Sequence, residues 1–367
     1  MKNIKYKISF CTVCMNRLHH LKETLPKNIK DSLSYGNVEF VVLNYNSKDE
    51  MEEWIQEEMV QYIDMGILKY FKTNDPNTFL RSHSKNVAAR CASGEIICNV
   101  DADNYIGIGF TEFINEMFNK YDNIFVATDI NNSPRDCVGR ICVKGTDFHN
   151  VKGYDEYMKG YGFEDEDLKF RLEKSSLKRI EINDFNFLKA INHDNIERIQ
   201  NEDAHSKFYK ILVRYIDYAS SYILFLDKNK TYYLGIVRYN KLINSQNISN
   251  MNYHSTYRYS LLNDNWSEGE WTEKKNNEIT LSKDLINFPN NNAPCFFHNG
   301  KSIYKVNGKA FFHIDDENII LELAMFFSEI NNRNKMFYNF KNSTEDVNNG
   351  SYGKANLIKN FNKKLHI

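Results

Sequence analysis

The chain has 367 residues, and its 47 basic and 48 acidic side chains give a formal net charge of −1. Balanced charge excludes a global attraction to nucleic acid, and no apolar run reaches the length of a transmembrane helix. The length predicts a catalytic domain with a smaller second unit. Six of the seven cysteines lie within or beside strand-like runs of the first 142 residues, which predicts reduced core residues. We expect a cytoplasmic protein, with peripheral contact at the inner face of a membrane left open.

The first part of the chain alternates short apolar runs with segments of helical spacing. The runs predict strands, which cover residues 7–14, 38–43, 67–71, 95–100 and 124–128. The intervening segments predict helices, which cover residues 17–28, 48–65, 82–91 and 110–119. This alternation favours an α/β fold with a doubly wound, mostly parallel sheet. Residues 137–143 predict one more strand, and residues 166–174 an acidic helix.

The pattern changes near residue 204. Apolar positions at helical spacing predict a linking amphipathic helix over 204–228. Residues 229–367 predict a smaller accessory unit of mixed α+β character, with strands over 231–237 and 302–313, a helix over 317–330 and a frayed end rich in Asn and Lys. The expected organisation is therefore a catalytic domain over 1–203, the linking helix, and an accessory domain that is available for oligomer formation.

Two acidic motifs stand out. Asp101 and Asp103 directly follow an apolar run, and the carboxyl end of a strand is where open α/β sheets bind ligands. Alternate residues of an extended segment point the same way, so this pair could share a divalent cation and a diphosphate; a turn-capping pair is the alternative. The second motif, GYGFEDED at 160–167, has four consecutive carboxylates, which repel one another unless water, cations or hydroxyl groups meet them.

Five motifs occur in the order seen in inverting GT-A glycosyltransferases. They are FLRSHSKNV at 79–87, DAD at 101–103, GYDE at 153–156, GYGFEDED at 160–167 and INHD at 191–194. Over residues 6–200 the chain resembles β-1,4-galactosyltransferases and the GalNAc-transferase module of bacterial chondroitin polymerases. The resemblance implies the GT-A (nucleotide-diphospho-sugar transferase) fold. It also implies transfer of Gal or GalNAc from a UDP-sugar to a saccharide or glycoconjugate acceptor with inversion, in bacterial surface-glycan assembly. A retaining GT-A enzyme and a non-catalytic carbohydrate-binding or scaffold protein are the alternatives.

The resemblance also implies roles for individual residues. Asp103 and His193 correspond to ligands of Mn²⁺, for which Mg²⁺ is the substitute, and Asp101 to their companion near the ribose and diphosphate. Asp165 corresponds to the catalytic base and Glu164 to the residue that hydrogen-bonds the acceptor sugar. An inverting transfer needs one carboxylate that takes the proton of the attacking hydroxyl. An acidic first turn that suits the helix dipole is the alternative for both.

The remaining implied contacts concern donor and acceptor. The donor-binding positions are Val13, Arg17, Asn44, Arg81, Asp101 and Ala102. Core packing or a solvated surface could equally explain Val13 and the two arginines. Asn44 stands where related transferases have a uridine-binding aspartate. At the acceptor, Tyr161 stands where the family has a tryptophan, and Phe163 replaces the second glycine of its Trp-Gly-Gly-Glu-Asp motif.

Overall fold

The computed structural model describes residues 4–203, 205–217, 220–239, 259–262, 265–283, 303–342 and 344–367. These residues form two compact units. The first comprises Met1–Glu202 with Asn331–Ile367, and the second Asp203–Ile330. None of the helices in the described ranges is long and apolar enough to cross a membrane.

The secondary structure alternates through the first unit and is mainly β in the second. In chain order the strands are β1 (Ile8–Cys14), β2 (Val38–Tyr45), β3 (Leu68–Thr73), β4 (Ile96–Asn99), β5 (Asn104–Tyr105), β6 (Ile124–Ala127), β7 (Ile141–Lys144), β8 (Lys178–Glu181), β9 (Lys189–Ala190), β10 (Phe208–Tyr215), β11 (Ser220–Asp227), β12 (Thr231–Tyr239), β13 (Tyr259–Leu261), β14 (Ser267–Lys274), β15 (Glu278–Leu281), β16 (Ile303–Val306), β17 (Lys309–His313), β18 (Asn356–Lys359) and β19 (Lys363–His366). The α-helices are α1 (Leu18–Ser32), α2 (Met51–Glu58), α3 (Val60–Asp64), α4 (Arg81–Cys91), α5 (Phe110–Lys120), α6 (Gly145–Asn150), α7 (Glu164–Lys174), α8 (Asn195–Ile199) and α9 (Glu317–Asn342).

The first unit is built on a nine-stranded sheet in the order β19-β18-β3-β2-β1-β4-β7-β6-β8. Strands β3, β2, β1 and β4 are parallel, as the sequence predicts. Successive strand residues point to opposite faces, so Phe10 and Val42 pack in one core while Cys11 and Val41 pack in the other. Helices cover both faces because both sets of side chains are apolar.

The carboxyl ends of the four parallel strands meet along one edge. β1 has β2 on one side and β4 on the other, so the order of the chain reverses at β1. Open α/β sheets bind their ligands outside the strand ends at such a switch point. Strands β1, β2 and β4 end at Cys14, Tyr45 and Asn99, and Asp101 follows two residues after β4.

The prediction of a linking helix over 204–228 is wrong, because Phe208–Tyr215 and Ser220–Asp227 form the antiparallel strands β10 and β11. Both faces of β10 are buried: Ile211 and Val213 lie in one cluster and Leu212 in another. A strand covered on both sides loses the polar-apolar alternation that identifies strands. A bulge between Phe208 and Lys210 shifts the register as well, and the remaining apolar positions imitate helical spacing.

Other expectations for the second half also need correction. The eight-stranded sheet of the second unit closes through the pairing of β11 with β12. The helix predicted to end at residue 330 continues to Asn342. The end predicted to be frayed instead forms β18 and β19, and β18 pairs with β3 of the first sheet. The strand predicted over 137–143 is shorter, because a 3₁₀ turn occupies Arg135–Cys137 before β7 begins.

Candidate active site

Asp101 and Asp103 leave β4 at the switch point of the sheet. Asn99 fixes Asp101, donating a hydrogen bond of 3.2 Å to its Oδ1. Asp101 also faces Asp103 and Asp165. Burial and these like charges raise the pKa of Asp101 to about 6, against the opposing effect of Lys85. Ala102, between the two aspartates, is buried, and its carbonyl accepts a hydrogen bond of 2.6 Å from Thr24.

Asp103 and His193 form a close pair although 90 residues separate them. His193 Nε2 lies 2.7 Å from Asp103 Oδ2, and Asn104 donates to Asp103 Oδ1 at 2.8 Å. Burial disfavours the charged carboxylate, but the hydrogen bond and charge of His193 outweigh it and lower the pKa of Asp103. The two groups together present one carboxylate and one imidazole nitrogen, a donor set that suits a divalent metal ion.

The two acids at the start of α7 share one lysine. Lys85 Nζ, from α4, lies 3.0 Å from Glu164 Oε1 and 2.8 Å from Asp165 Oδ1. Burial alone would lower the pKa of this lysine, but Asp165 and Glu164 raise it well above the usual value. The segment 79–87 belongs to the predicted motifs, yet nothing in the sequence assigned Lys85 a role. Its long side chain finds two carboxylates from another part of the chain, a contact that has no local sequence pattern.

Gly139 separates Asp101 from Asp165. A side-chain carbon built on Gly139 would lie 3.0 Å from Asp101 Oδ2 and 3.0 Å from Asp165 Oδ2. Asn99 donates to the carbonyl of Gly139 at 3.0 Å, which holds the glycine against the strand end. The absence of a side chain therefore leaves space between the two carboxylates. Sequence reasoning missed this residue because a single glycine in an irregular stretch carries no specific signal.

The predicted donor-binding arginines both reach the switch point. Arg17 Nη1 lies 3.5 Å from His193 Nε2, and its Nη2 donates to the carbonyl of Glu197. Arg81 pairs with the buried carboxylate of Glu202. Its guanidinium also lies 4.9 Å from the centre of the Tyr161 ring, a cation–π contact that fixes the orientation of this aromatic face.

The other two predicted donor contacts, Asn44 and Val13, lie on strands of the sheet. Asn44 is buried at the end of β2, where its amide donates to Tyr70 Oη at 2.8 Å and its Oδ1 accepts from the backbone of Ser47 at 2.9 Å. This places Asn44 in the support of the strand end. Val13 is half-buried in β1 and packs against the second core.

Phe163 adopts a left-handed backbone conformation, which explains why the related motif has a glycine at this position. Its φ is +68°, in the left-handed region, and it directly precedes α7. Gly160 and Gly162 also have positive φ values, +72° and +93°. Left-handed backbone costs an ordinary residue roughly 1–2 kcal/mol. Phe163 therefore keeps the conformation of the turn at a cost in backbone strain.

The other two acids of the run are paired by their own helix. Lys169 Nζ lies 2.6 Å from Glu166 Oε1, and Arg171 Nε lies 2.7 Å from Asp167 Oδ2. All four side chains are buried or nearly so. Only Glu164 and Asp165 face the switch point, so the four like charges are divided between helix packing and the site.

A second group of side chains with metal-ligand atoms lies next to the Asp103–His193 pair. Ligand atoms of His19, His20 and Glu197 all lie within 4.8 Å of one another. Arg17 is 3.7 Å from the same Glu197 oxygen that faces His19 at 3.0 Å. Because the guanidinium already neutralises this carboxylate, the group is an ion-paired cluster that borders the Asp103–His193 pair.

Two protein-family models match overlapping parts of the chain. Residues 9–141 match the glycosyl transferase family 2 model, and residues 125–208 match the model described as the N-terminal domain of galactosyltransferase. A comparison with curated protein sequences gives no significant match. The matched region contains the four parallel strands, the switch point and every predicted site residue. Residues 9–208 therefore match glycosyltransferase families, which confirms the resemblance to galactosyltransferases described from the sequence.

Solved structures with a similar fold include three glycosyltransferases. The mannosyltransferase PcManGT from Pyrobaculum calidifontis, in complex with GDP-Man and Mn²⁺, is 17% identical with a TM-score of 0.44 over 54% of this chain and 62% of its own. Staphylococcus aureus TarS 1–349 in complex with UDP is 16% identical with a TM-score of 0.41 over 48% and 58%. The catalytic domain of Drosophila β1,4-galactosyltransferase 7 in complex with xylobiose is 15% identical with a TM-score of 0.38 over 54% and 74%. The similarity thus spans about three fifths of the first two chains.

Proposed function

We propose that this glycosyltransferase transfers Gal or GalNAc from a UDP-sugar to a hydroxyl group of a saccharide or glycoconjugate acceptor, with inversion and with the help of a divalent cation. One observation carries the proposal. Asp165 and Asp101 border the space beside Gly139, and the Asp103–His193 pair lies at the same strand edge. A base, a donor-side carboxylate and a set of metal ligands are the groups that inverting transfer of a sugar requires.

The donor set of Asp103 and His193 fits Mn²⁺, with Mg²⁺ as the substitute. Their donor atoms are 2.7 Å apart, close to the separation of about 3 Å between neighbouring ligands of a six-coordinate ion with bonds of about 2.1 Å. The carboxylate of Asp103 suits manganese or magnesium, and the imidazole of His193 is a donor more typical of transition metals, which favours Mn²⁺ of the two. When bound, the cation would supply positive charge for the departing diphosphate.

Asp165 is proposed as the base. Its Oδ1 accepts from Lys85, while its Oδ2 faces the space beside Gly139. The acceptor oxygen would bond to the anomeric carbon as the bond from that carbon to the diphosphate breaks, with the hydroxyl proton passing to Asp165 and UDP leaving. Glu164, held by Lys85, is positioned to accept a hydrogen bond from the acceptor sugar.

A donor panel tests the proposal. The wild-type chain is incubated with Mn²⁺, UDP-sugars and saccharide acceptors, and UDP release is scored with and without acceptor. We expect release from UDP-Gal or UDP-GalNAc that increases with acceptor. Asp165→Asn should reduce transfer by about 10²- to 10⁴-fold and leave donor binding intact, while the exposed Asp184→Asn serves as the control.

Two outcomes would contradict parts of this proposal. NMR of the product anomeric configuration separates inversion from retention, so a retained configuration excludes Asp165 as the base of a single displacement. Saccharide binding without UDP release from any donor would favour a carbohydrate-binding protein built on the same fold.

A further inference from the structure

Three asparagines from the last part of the chain hold the segment 152–167, which contains the GYDE and GYGFEDED motifs. Asn332 and Asn339 lie on α9, and Asn348 follows that helix. All three are buried, at 4–5% exposure, and all belong to the first unit. They lie outside residues 9–208, where the family models match, and in a stretch whose composition predicted a frayed end.

Asn332 binds the turn before α7. Its amide nitrogen lies 3.2 Å from the carbonyl oxygen of Lys159, 3.3 Å from that of Tyr161 and 2.9 Å from that of Gly162. Its Oδ1 accepts from the Lys159 N–H at 3.2 Å. One side chain thus contacts four backbone groups of the turn, with its two amide hydrogens shared among three carbonyl oxygens.

Asn339 and Asn348 hold the segment on either side of that turn. Asn339 lies seven residues after Asn332 and so on the same helix face. It donates to Asp155 Oδ2 at 2.7 Å and to Asp167 Oδ1 at 2.8 Å, bridging two carboxylates that are fully or almost fully buried. Asn348 donates to the carbonyls of Lys152 and Tyr154 at 2.8 Å each.

The turn needs such support because it is strained. Left-handed backbone at Phe163 persists only where the surroundings determine the conformation. The same turn carries Tyr161, one of the proposed acceptor contacts. A shift of about 1 Å in a group that positions a substrate can cost about 10²-fold in rate.

We propose that Asn332 is a positioning residue that fixes the acceptor-facing turn, residues 159–163. Acceptor recognition by this glycosyltransferase then depends on a residue more than 120 positions beyond the end of the family match. The inference rests on the proposed function in one respect: the turn is taken to face a saccharide acceptor. The donor-side groups Asp101, Asp103 and His193 make no contact with Asn332 among the described hydrogen bonds.

Two kinds of measurement test this role. In Asn332→Asp, which keeps the size and the Oδ acceptor but loses the amide donor, hydrogen exchange of residues 159–163 should rise. The KM for the saccharide acceptor should rise about tenfold or more, with the KM for the UDP-sugar and acceptor-independent UDP release unchanged within about twofold. Asn332→Ser provides a second, smaller substitution. Asn342→Ala, an exposed asparagine that donates only to the carbonyl of Tyr338 among the described contacts, is the control.

The outcomes separate this inference from the proposed function. Unchanged hydrogen exchange at 159–163 in both Asn332 variants overturns the inference, whatever the enzyme does. An equal fall in donor hydrolysis and in transfer also overturns it, because a general loss of structure would affect both. Failure of the wild-type chain to release UDP from any donor would defeat the proposed function, while the hydrogen-exchange result would still decide whether Asn332 fixes the turn.

Discussion

Lys85 Nζ lies 2.8 Å from Asp165 Oδ1, and the same ammonium group lies 3.0 Å from Glu164 Oε1. A single buried cation thus links the two carboxylates that the acceptor would meet. Its pKa is raised by Asp165 and Glu164 against the effect of burial, so it carries its charge throughout the range in which proteins are studied. This ammonium group places a positive charge between two adjacent carboxylates next to Asp101.

Replacing Lys85 with Met should reduce both activity and stability. Removing one partner of a buried ion pair leaves charges uncompensated and costs about 3–5 kcal/mol. We expect a loss of free energy of unfolding in that range and a fall in transfer rate at least as large as that of Glu164→Gln. Denaturant unfolding and acceptor-dependent UDP release measure the two effects. Lys22→Met, at an exposed position of α1, is the control and should change neither. Full activity in Lys85→Met would exclude the lysine from the site.

Gly139→Ala should block the space between Asp101 and Asp165. The added methyl group would lie 3.0 Å from an oxygen of each, closer than carbon and oxygen normally approach. Because Asn99 holds the glycine in place, the carboxylates must move apart, and a shift of about 1 Å predicts a rate loss of about 10²-fold. Steady-state kinetics of transfer provide the measurement, and Gly145→Ala, where the added carbon would make ordinary contacts of 3.6 to 3.9 Å, controls for the loss of a glycine. A variant with normal kinetics would show that this space is not used.

Metal dependence should follow Asp103 and His193 and not the neighbouring cluster of His19, His20 and Glu197. Asp103→Ala and His193→Ala should raise the Mn²⁺ concentration needed for half-maximal transfer by tenfold or more, about 1.4 kcal/mol of binding free energy each. His19→Ala, at an exposed ligand position of the other cluster, should leave it unchanged. Mn²⁺ titrations after chelator treatment measure this. Activity that survives excess chelator would contradict the requirement for a metal.

Glu39 should make the first unit sensitive to acid. This carboxylate is fully buried, which would raise its pKa, but hydrogen bonds from Lys69, Lys7 and Ser9 outweigh burial and hold its pKa well below the usual value. A depressed pKa stabilises the fold at pH values above the unfolded-state value of about 4.3 and loses this contribution as the pH falls. Glu39→Gln should therefore lower the free energy of unfolding by about 3 kcal/mol at pH 7. The difference from wild type should shrink below pH 4.

Urea unfolding of wild type and Glu39→Gln at pH 7 and pH 3 gives that comparison. Catalysis should be spared, since Glu39 is the second residue of β2 and lies at the opposite end from the strand edge that carries Asn44. A constant difference between the two proteins at both pH values would show that charge is not the source of the effect.

Local patterns in the sequence predicted the catalytic half of the fold. Apolar runs separated by helical spacing give the parallel strands, and the DAD motif follows β4 at the expected edge of the sheet. The structure brings Asp101, Asp103, His193, Glu164 and Asp165 to that edge, although their individual roles stay predictions. Asn44 also lies at this edge, but Tyr70 and Ser47 occupy its amide group.

Residues that act through distant partners could not be predicted in this way. Lys85 contacts carboxylates of α7, Gly139 lies against two carboxylates, and Asn332 contacts a turn 170 residues earlier in the chain. None of these contacts has a periodic or local signature. The same limitation explains the wrong helix over 204–228, where burial on both faces of β10 removed the alternation that strands usually have.

The pairing of β18 with β3 means that the first unit is not one continuous piece of sequence. Ile358 and Lys359 lie opposite Lys72 and Phe71 and use the backbone groups along that side of β3. A fragment that ended at residue 203 would expose this row of N–H and C=O groups, and an uncovered sheet edge can recruit a strand from another molecule. The last dozen residues thus cover this side of β3 and make β19 the edge of the sheet, where the exposed Lys363 and Lys364 discourage pairing with another molecule.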